Sequence, residues 1–143
     1  MTVSAKELLA AIPLYTDGQL YRVLHLPPSA AMAAAGVLAQ MREPFSALIV
    51  DKDEVTLVIA EDLLEEYARR LKEREVSEPY RLITFDGALE PTLIGFIAAI
   101  SKALADAGVP ILPLAAFQRD HILVPAAQFE AAWSALQTLQ QRS

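Results

Sequence analysis

Along the chain, short apolar runs alternate with longer stretches in which apolar residues return every three or four positions, an alternation that predicts strands and helices packed together. Leu20 to Leu26 reads as a strand stopped by Pro27 and Pro28, after which an alanine-rich helix starts at Ser29 and runs to about Arg42. Its small residues Ala33, Ala34 and Gly36 suit close packing against a sheet. Ala47 to Val50 and Val55 to Ile59 are β-branched runs around the charged stretch Asp51 to Glu54, which is a hairpin pattern. From Glu61 to about Glu73 a further helix is expected. Its Leu63, Leu64, Tyr67 and Leu71 share one face, while Glu65 with Arg69 and Glu66 with Arg70 are spaced as ion pairs on the other.

The polar segment Glu75 to Pro79 separates this half from a second whose elements come in a similar order. Arg81 to Asp86 reads as a strand and Gly87 to Thr92 as a loop. Leu93, Ile97, Ile100 and Leu104 form a helix stripe stopped by Gly108. Val109 to Phe117 and His121 to Val124 make the next hairpin, and Phe129, Trp133, Leu136 and Leu139 mark a last helix with its aromatic residues in the core. Pro113 lacks the N–H that a central strand needs, so its strand is expected at a sheet edge or a bulge. Strand, helix, strand, strand, helix is the order of a ferredoxin-like βαββαβ unit. The fold class expected is therefore α+β, with two such units in tandem over residues 1–78 and 79–143. The strands counted fall short of eight. One shared or swapped between units, or one from the segment Ile12 to Tyr15, makes up the number.

Composition narrows the function classes. Hydrophobic residues are 54% of the 143 and mean hydropathy is +0.31, yet no run approaches the roughly 20 apolar residues of a membrane span. The surplus predicts buried contacts within the chain or between copies, so a homodimer or higher homo-oligomer is expected, with no membrane partner. A net charge of −6 and a pI near 4.8 disfavour nucleic acid as a partner. The absence of cysteine removes disulfides, thiolate nucleophiles and sulfur-ligated metals. Met1 to Lys6 carries no basic region followed by an apolar stretch, so no signal peptide is evident and cytoplasmic residence is expected.

Candidate chemistry is sparse. No nucleophile elbow, phosphate loop or dinucleotide fingerprint occurs, so neither an enzyme nor a cofactor is expected. Gly87 and Gly95 flank a loop that enters a helix, where amide N–H groups and the helix dipole can hold a carboxylate. Asp120, beside Arg119 and just before an apolar strand, can pair with an ammonium or guanidinium group, or equally bond its own backbone as a hairpin aspartate. Asp86 reads as a turn residue. His25 and His121 are the only imidazoles and lack metal-ligand spacing. Asp51, Asp53 and Glu54 lack the glycine and glutamate positions of a calcium loop, so a solvated hairpin tip is expected.

The stretch FDGALEPTLIGFIAAISKALADAGVPILPLAAFQRDHILV, Phe85 to Val124, resembles the second unit of tandem ACT proteins in the family that includes the CASTOR arginine sensors. SALIVDKDEVTLVIAEDL, Ser46 to Leu63, is similar to the second and third strands of the first unit, and Tyr21 to Leu26 extends the likeness. The resemblance implies paired ferredoxin-like (ACT) units, an amino acid or similar small ligand bound at an interface between units, and an unidentified regulated protein as partner. It places the ligand against Glu90, Pro91, Thr92, Leu93, Ile94 and Gly95, with a further contact from Asp120 and with Pro110 and Ile111 supplied by a facing unit. Where relatives often carry Ser-Thr before the aromatic residue of the hairpin, this chain has Ala115 and Ala116. The implied role is that of a regulatory amino-acid sensor; the alternative is an interaction module that kept the fold without a ligand.

Overall fold

Ser4 opens the first element. Its hydroxyl accepts the Glu7 N–H at 3.1 Å and caps α1 (Ala5–Ala11), a short helix that the apolar periodicity did not reveal. In the computed structural model, which describes residues 4–41 and 44–142, the chain then runs through β1 (Leu14–Tyr15), β2 (Leu20–Leu26) and α2 (Ala31–Gln40), entered by a 3-10 turn at Pro28–Ala30. There follow β3 (Ala47–Val50), β4 (Val55–Ala60), α3 (Leu64–Tyr67), β5 (Glu75–Val76) and β6 (Tyr80–Phe85). The last elements are α4 (Phe96–Asp106), β7 (Leu112–Ala115), β8 (Asp120–Pro125) and α5 (Phe129–Arg142). Arg42, where α2 was expected to end, lies outside the described residues, as do Met1 to Val3 of the leader argument.

The chain divides into two compact units, one continuous (Gln19–Tyr80) and one discontinuous (Met1–Gly18 with Arg81–Ser143). In the continuous unit β4 pairs antiparallel with both β2 and β3, and β5 adds to the other side of β2. The order β5-β2-β4-β3 is that of a ferredoxin-like sheet. Leu24, Leu26, Val55, Leu57 and Ile59 point to one face, where Ala34 and Val37 of α2 and Tyr67 and Leu71 cover them. The helix expected from Glu61 to Glu73 is shorter and broken, with 3-10 turns at Glu61–Leu63 and Ala68–Arg70 around a single α turn. Its end is set by Arg74, whose Nη1 donates to the carbonyls of Ala68 and Leu71 at 3.2 and 2.8 Å. That stop releases Glu75 and Val76, read from sequence as part of a polar separator, to pair with His25 and Leu24 as the fourth strand.

In the discontinuous unit the order is β1-β6-β8-β7, with β7 at the edge. Pro113 sits on that edge strand opposite Ile122, as its missing donor requires. The fourth strand here is β1, whose Leu14 and Tyr15 pair with Phe85 and Thr84. The segment before Gln19 thus completes the C-terminal unit, which differs from the division at 78 and 79 expected from sequence. The reason is burial. Leu9 and Ile12 are 4% and 3% exposed in the core formed with Ile83, Phe85, Ile100 and Leu136, and Gln140 Nε2 donates to the Ile12 carbonyl at 2.6 Å. Each fully buried side chain of this kind stabilises by about 1.5–3 kcal/mol before entropy is charged.

Candidate ligand-binding site

The site grows from the end of β6. Phe85, fully buried, meets Phe96 edge to face at 5.4 Å, which locks the end of the strand to the start of α4. Between them the loop from Asp86 to Gly95 is tied down at Asp86 and at Leu89. Asp86 N–H donates to the Pro13 carbonyl at 2.8 Å, and Leu89 N–H donates to the Gln118 carbonyl at 2.8 Å. Gly87 lets the loop pass Ile12, since a Cβ there would lie 3.1 Å from Ile12 Cγ1. Leu93 N–H closes a turn onto the Glu90 carbonyl at 3.0 Å. Gly95 then takes φ +90°, a left-handed value that favours glycine, and stands at the N-cap of α4 without a side-chain cap. The helix stripe expected from Leu93 therefore begins later, with Phe96, Ile100 and Leu104 buried and Leu93 in the loop.

The facing wall is the β7–β8 hairpin. Ala115 pairs with Asp120, and Ala116 N–H donates to the Arg119 carbonyl at 2.8 Å to close the tip. Arg119 Nε lies 3.3 Å from Asp86 Oδ1, joining the tip to the base of the loop. Loop, helix start and hairpin enclose a cavity of about 370 Å³, within the range of small-molecule sites. Its wall is apolar along Leu93, Ile97, Ala116 and Phe117 and polar at Glu90, Arg119 and Asp120. The first turn of α4 brings amide N–H groups that have no partner inside the helix. Burial pushes the Asp120 carboxyl above its ordinary pKa, an effect that His121 partly offsets. His121 is pushed down, first by burial and less by Arg119, while Asp120 works the other way. Its Nδ1 lies 2.8 Å from Thr84 Oγ1.

Of the residues proposed from sequence, Glu90, Pro91, Leu93, Gly95 and Asp120 line this one cavity. Thr92 and Ile94 sit in the same loop but are turned outward, Ile94 being 88% exposed. Pro110 and Ile111 precede β7 at the end remote from the tip and are not part of the wall, and Ile111 packs on the core. Arg119, Phe117 and Leu89 were not singled out. The signal for them was the hairpin register, which carries the tip back over the loop. Asp86, read as a turn residue, has a charged partner in Arg119. Elsewhere, Asp51 Oδ1 accepts the N–H groups of Asp53 and Glu54 at 2.7 and 2.9 Å, as suits a solvated tip. His25 has Glu54 on Nε2 at 3.2 Å and Glu75 toward Nδ1 at 3.9 Å, on opposite ring nitrogens. No group of three or more ligating side chains among the described residues is placed to hold a metal ion. No helix among them is long and apolar enough to cross a membrane.

Comparison with known proteins agrees with this architecture. A protein of unknown function from Vibrio cholerae, described as a possible transport protein, superposes with a TM-score of 0.74 at 24% identity over 96% of each chain. The regulatory subunit of aspartate kinase from Thermus flavus superposes with a TM-score of 0.72 at 17% identity, covering 90% of this chain and 98% of that one. A protein from Agrobacterium tumefaciens gives 0.69 at 20% identity over 90% and 89%. Comparison with curated proteins gave no match. The family model of the ACT domain matches residues 75–138, a stretch that holds every residue of the cavity wall.

Proposed function

We propose that the chain is a regulatory protein that binds the zwitterionic head of an amino acid in the cavity between the α4 loop and the β7–β8 tip. The observation that carries this reading is convergence. Glu90, Pro91, Leu93 and Gly95 are far from Asp120 in sequence, yet all five line one cleft with a carboxylate on one side and a helix start on the other. An ammonium group suits Asp120, whose half-buried charge gains from a cationic partner. A carboxylate suits the first-turn amides and Arg119. The regulatory subunit of aspartate kinase shares the fold and supports the regulatory half of the proposal by analogy. The likeness to arginine sensors rests on the Phe85 to Val124 motif and on the weaker resemblance of Ser46 to Leu63 and Tyr21 to Leu26.

In this reading the protein catalyses nothing and acts in the cytoplasm as a homodimer, where Pro110 and Ile111 of a facing copy cover the ligand. Binding shifts the affinity for a regulated protein by the difference in ligand affinity between two arrangements. A second reading, an interaction module without a ligand, is favoured by Ala115 and Ala116, which lack the hydroxyls of relatives.

Thermal shift across the twenty amino acids separates the two. A ligand at about 100 times its Kd adds about 2.7 kcal/mol of stability, and Asp120→Ala is expected to abolish that gain without changing the oligomer. A flat profile for every amino acid would leave only the second reading.

A further inference from the structure

A single exposed apolar side chain needs no explanation, but apolar side chains exposed together along a concave wall mark a place where something binds. Phe117, at the hairpin tip, is 82% exposed and forms part of the cavity wall. Ile97, in the first turn of α4, is 37% exposed on the same wall. Beside them Ala115 and Ala116 present methyl groups, so the stretch of wall made by Ile97, Ala115, Ala116 and Phe117 is apolar. The polar side chains of the cavity are Glu90, Gln118, Arg119 and Asp120. Arg119 is held 3.3 Å from Asp86, and Asp120 is half buried beside it. A zwitterionic head placed there engages both. A second charged group on the ligand, directed along Phe117 and Ile97, loses hydration against apolar side chains at a cost of several kcal/mol unless it reaches Glu90 or Gln118.

We infer that the cavity selects amino acids with an aliphatic or aromatic side chain, seated along Phe117 and Ile97, and that Phe117 is a specificity-determining residue. This rests on the amino-acid reading given above and adds the class of side chain. The tip is free to do this because Phe117 contributes nothing to the core, which ends at the buried Ile122 and Val124 of the following strand. An aromatic face at the mouth discriminates by contact area, and a hydrophobic pocket distinguishes ligands by about 10- to 200-fold per methylene.

The test is titration calorimetry of the full chain with leucine, phenylalanine, alanine, arginine and glutamate, repeated on Phe117→Ala. Leucine or phenylalanine is expected to bind at least about tenfold more tightly than alanine, arginine and glutamate. In Phe117→Ala that preference over alanine is expected to shrink about tenfold, with alanine itself little changed. Because Phe117 is exposed, the variant is expected to keep its melting temperature without ligand. Tightest binding by arginine or glutamate overturns the inference and leaves the amino-acid reading standing, whereas no binding by any of the five defeats that reading as well. If Phe117→Ala weakens all ligands alike, or changes the molecular mass in solution, Phe117 belongs to an interface between copies and its assignment falls.

Discussion

In the continuous unit, β2 enters its helix through Pro27 and Pro28, and the facing hairpin tip is the charged Asp51 to Glu54. In the discontinuous unit the matching connection runs from Asp86 to Gly95, and the matching tip is Ala116 to Arg119. Both corners have a concavity. That of the continuous unit, about 550 Å³, is lined by His25, Asp53, Lys72, Glu73, Arg74 and Glu75. Several of these charges, or their neighbours, pair locally. His25 meets Glu54, Lys52 meets Asp53 at 2.7 Å, and Arg74 is spent on backbone carbonyls. The other corner has a longer loop, a left-handed glycine and an apolar wall. One topology thus yields a corner in which His25, Asp53 and Arg74 meet partners within the chain and a corner in which Arg119 meets Asp86 while Glu90 and Asp120 line the cavity. Loop length and tip composition make the difference.

The largest test of that comparison concerns what each unit is built from. Ile12→Ala is expected to cost about 2–5 kcal/mol, as for other buried aliphatic residues, in chemical denaturation monitored by Trp133 of the C-terminal helix. A loss below about 1 kcal/mol would mean that the segment before Gln19 is not integral to the discontinuous unit. Next comes the corner itself. Gly95→Ala places a Cβ in open space but forces φ +90° on an L-residue, at about 1–2 kcal/mol. It is expected to lower the melting temperature and to weaken any amino-acid ligand. In the other corner Asp51→Ala removes an acceptor shared by two N–H groups. That variant is expected to cost about 0.5–1.5 kcal/mol and to leave ligand affinity untouched. An affinity change in Asp51→Ala would show that the two corners do not act separately.

The smallest effect is one of pH. His121 has a pKa below its ordinary value in the folded state, so the unfolded chain binds its proton more readily. Its contribution is complete above about pH 6.5 and is lost as pH falls through the depressed value. Asp120, shifted up, works oppositely and lower on the scale. The folded state holds its proton more tightly, so its unfavourable contribution is relieved as pH falls through the raised value toward about 3.8. Urea midpoints measured from pH 7.5 to 4.5 are expected to drop through the first window, and His121→Gln to flatten it. A midpoint that rises through that window in the parent chain would contradict the sign.

Much of the fold was legible because it depends on neighbours in sequence. The limits of β2 and β3 follow from apolar runs and prolines, and the stop at Gly108 follows from its positive φ. The edge position of β7 follows from the donor that Pro113 lacks. The short helix α1 was readable in principle, since Ser4 and Glu7 stand at capping spacing, but seven residues are too few for periodicity to assert itself. The strands β1 and β5 have two residues each and carry no pattern of their own. Gly87 and Gly95 marked a loop entering a helix start, but the individual residues Glu90 to Ile94 were named only through resemblance, because nothing in two glycines and a proline says which side chains line a cavity.

Sequence alone determined the order of elements, the class of fold, the lack of sulfur chemistry and the placing of Asp120 before an apolar strand, because these depend on residue type and short spacing. Tertiary structure decided which strand completes each unit and that Arg119 reaches Asp86. It also brought Phe117 and Asp120 to the cavity that Glu90 and Gly95 line. Those outcomes depend on burial and register between segments remote in the chain. Such contacts form only when the competing ways of covering the same apolar surface have been settled.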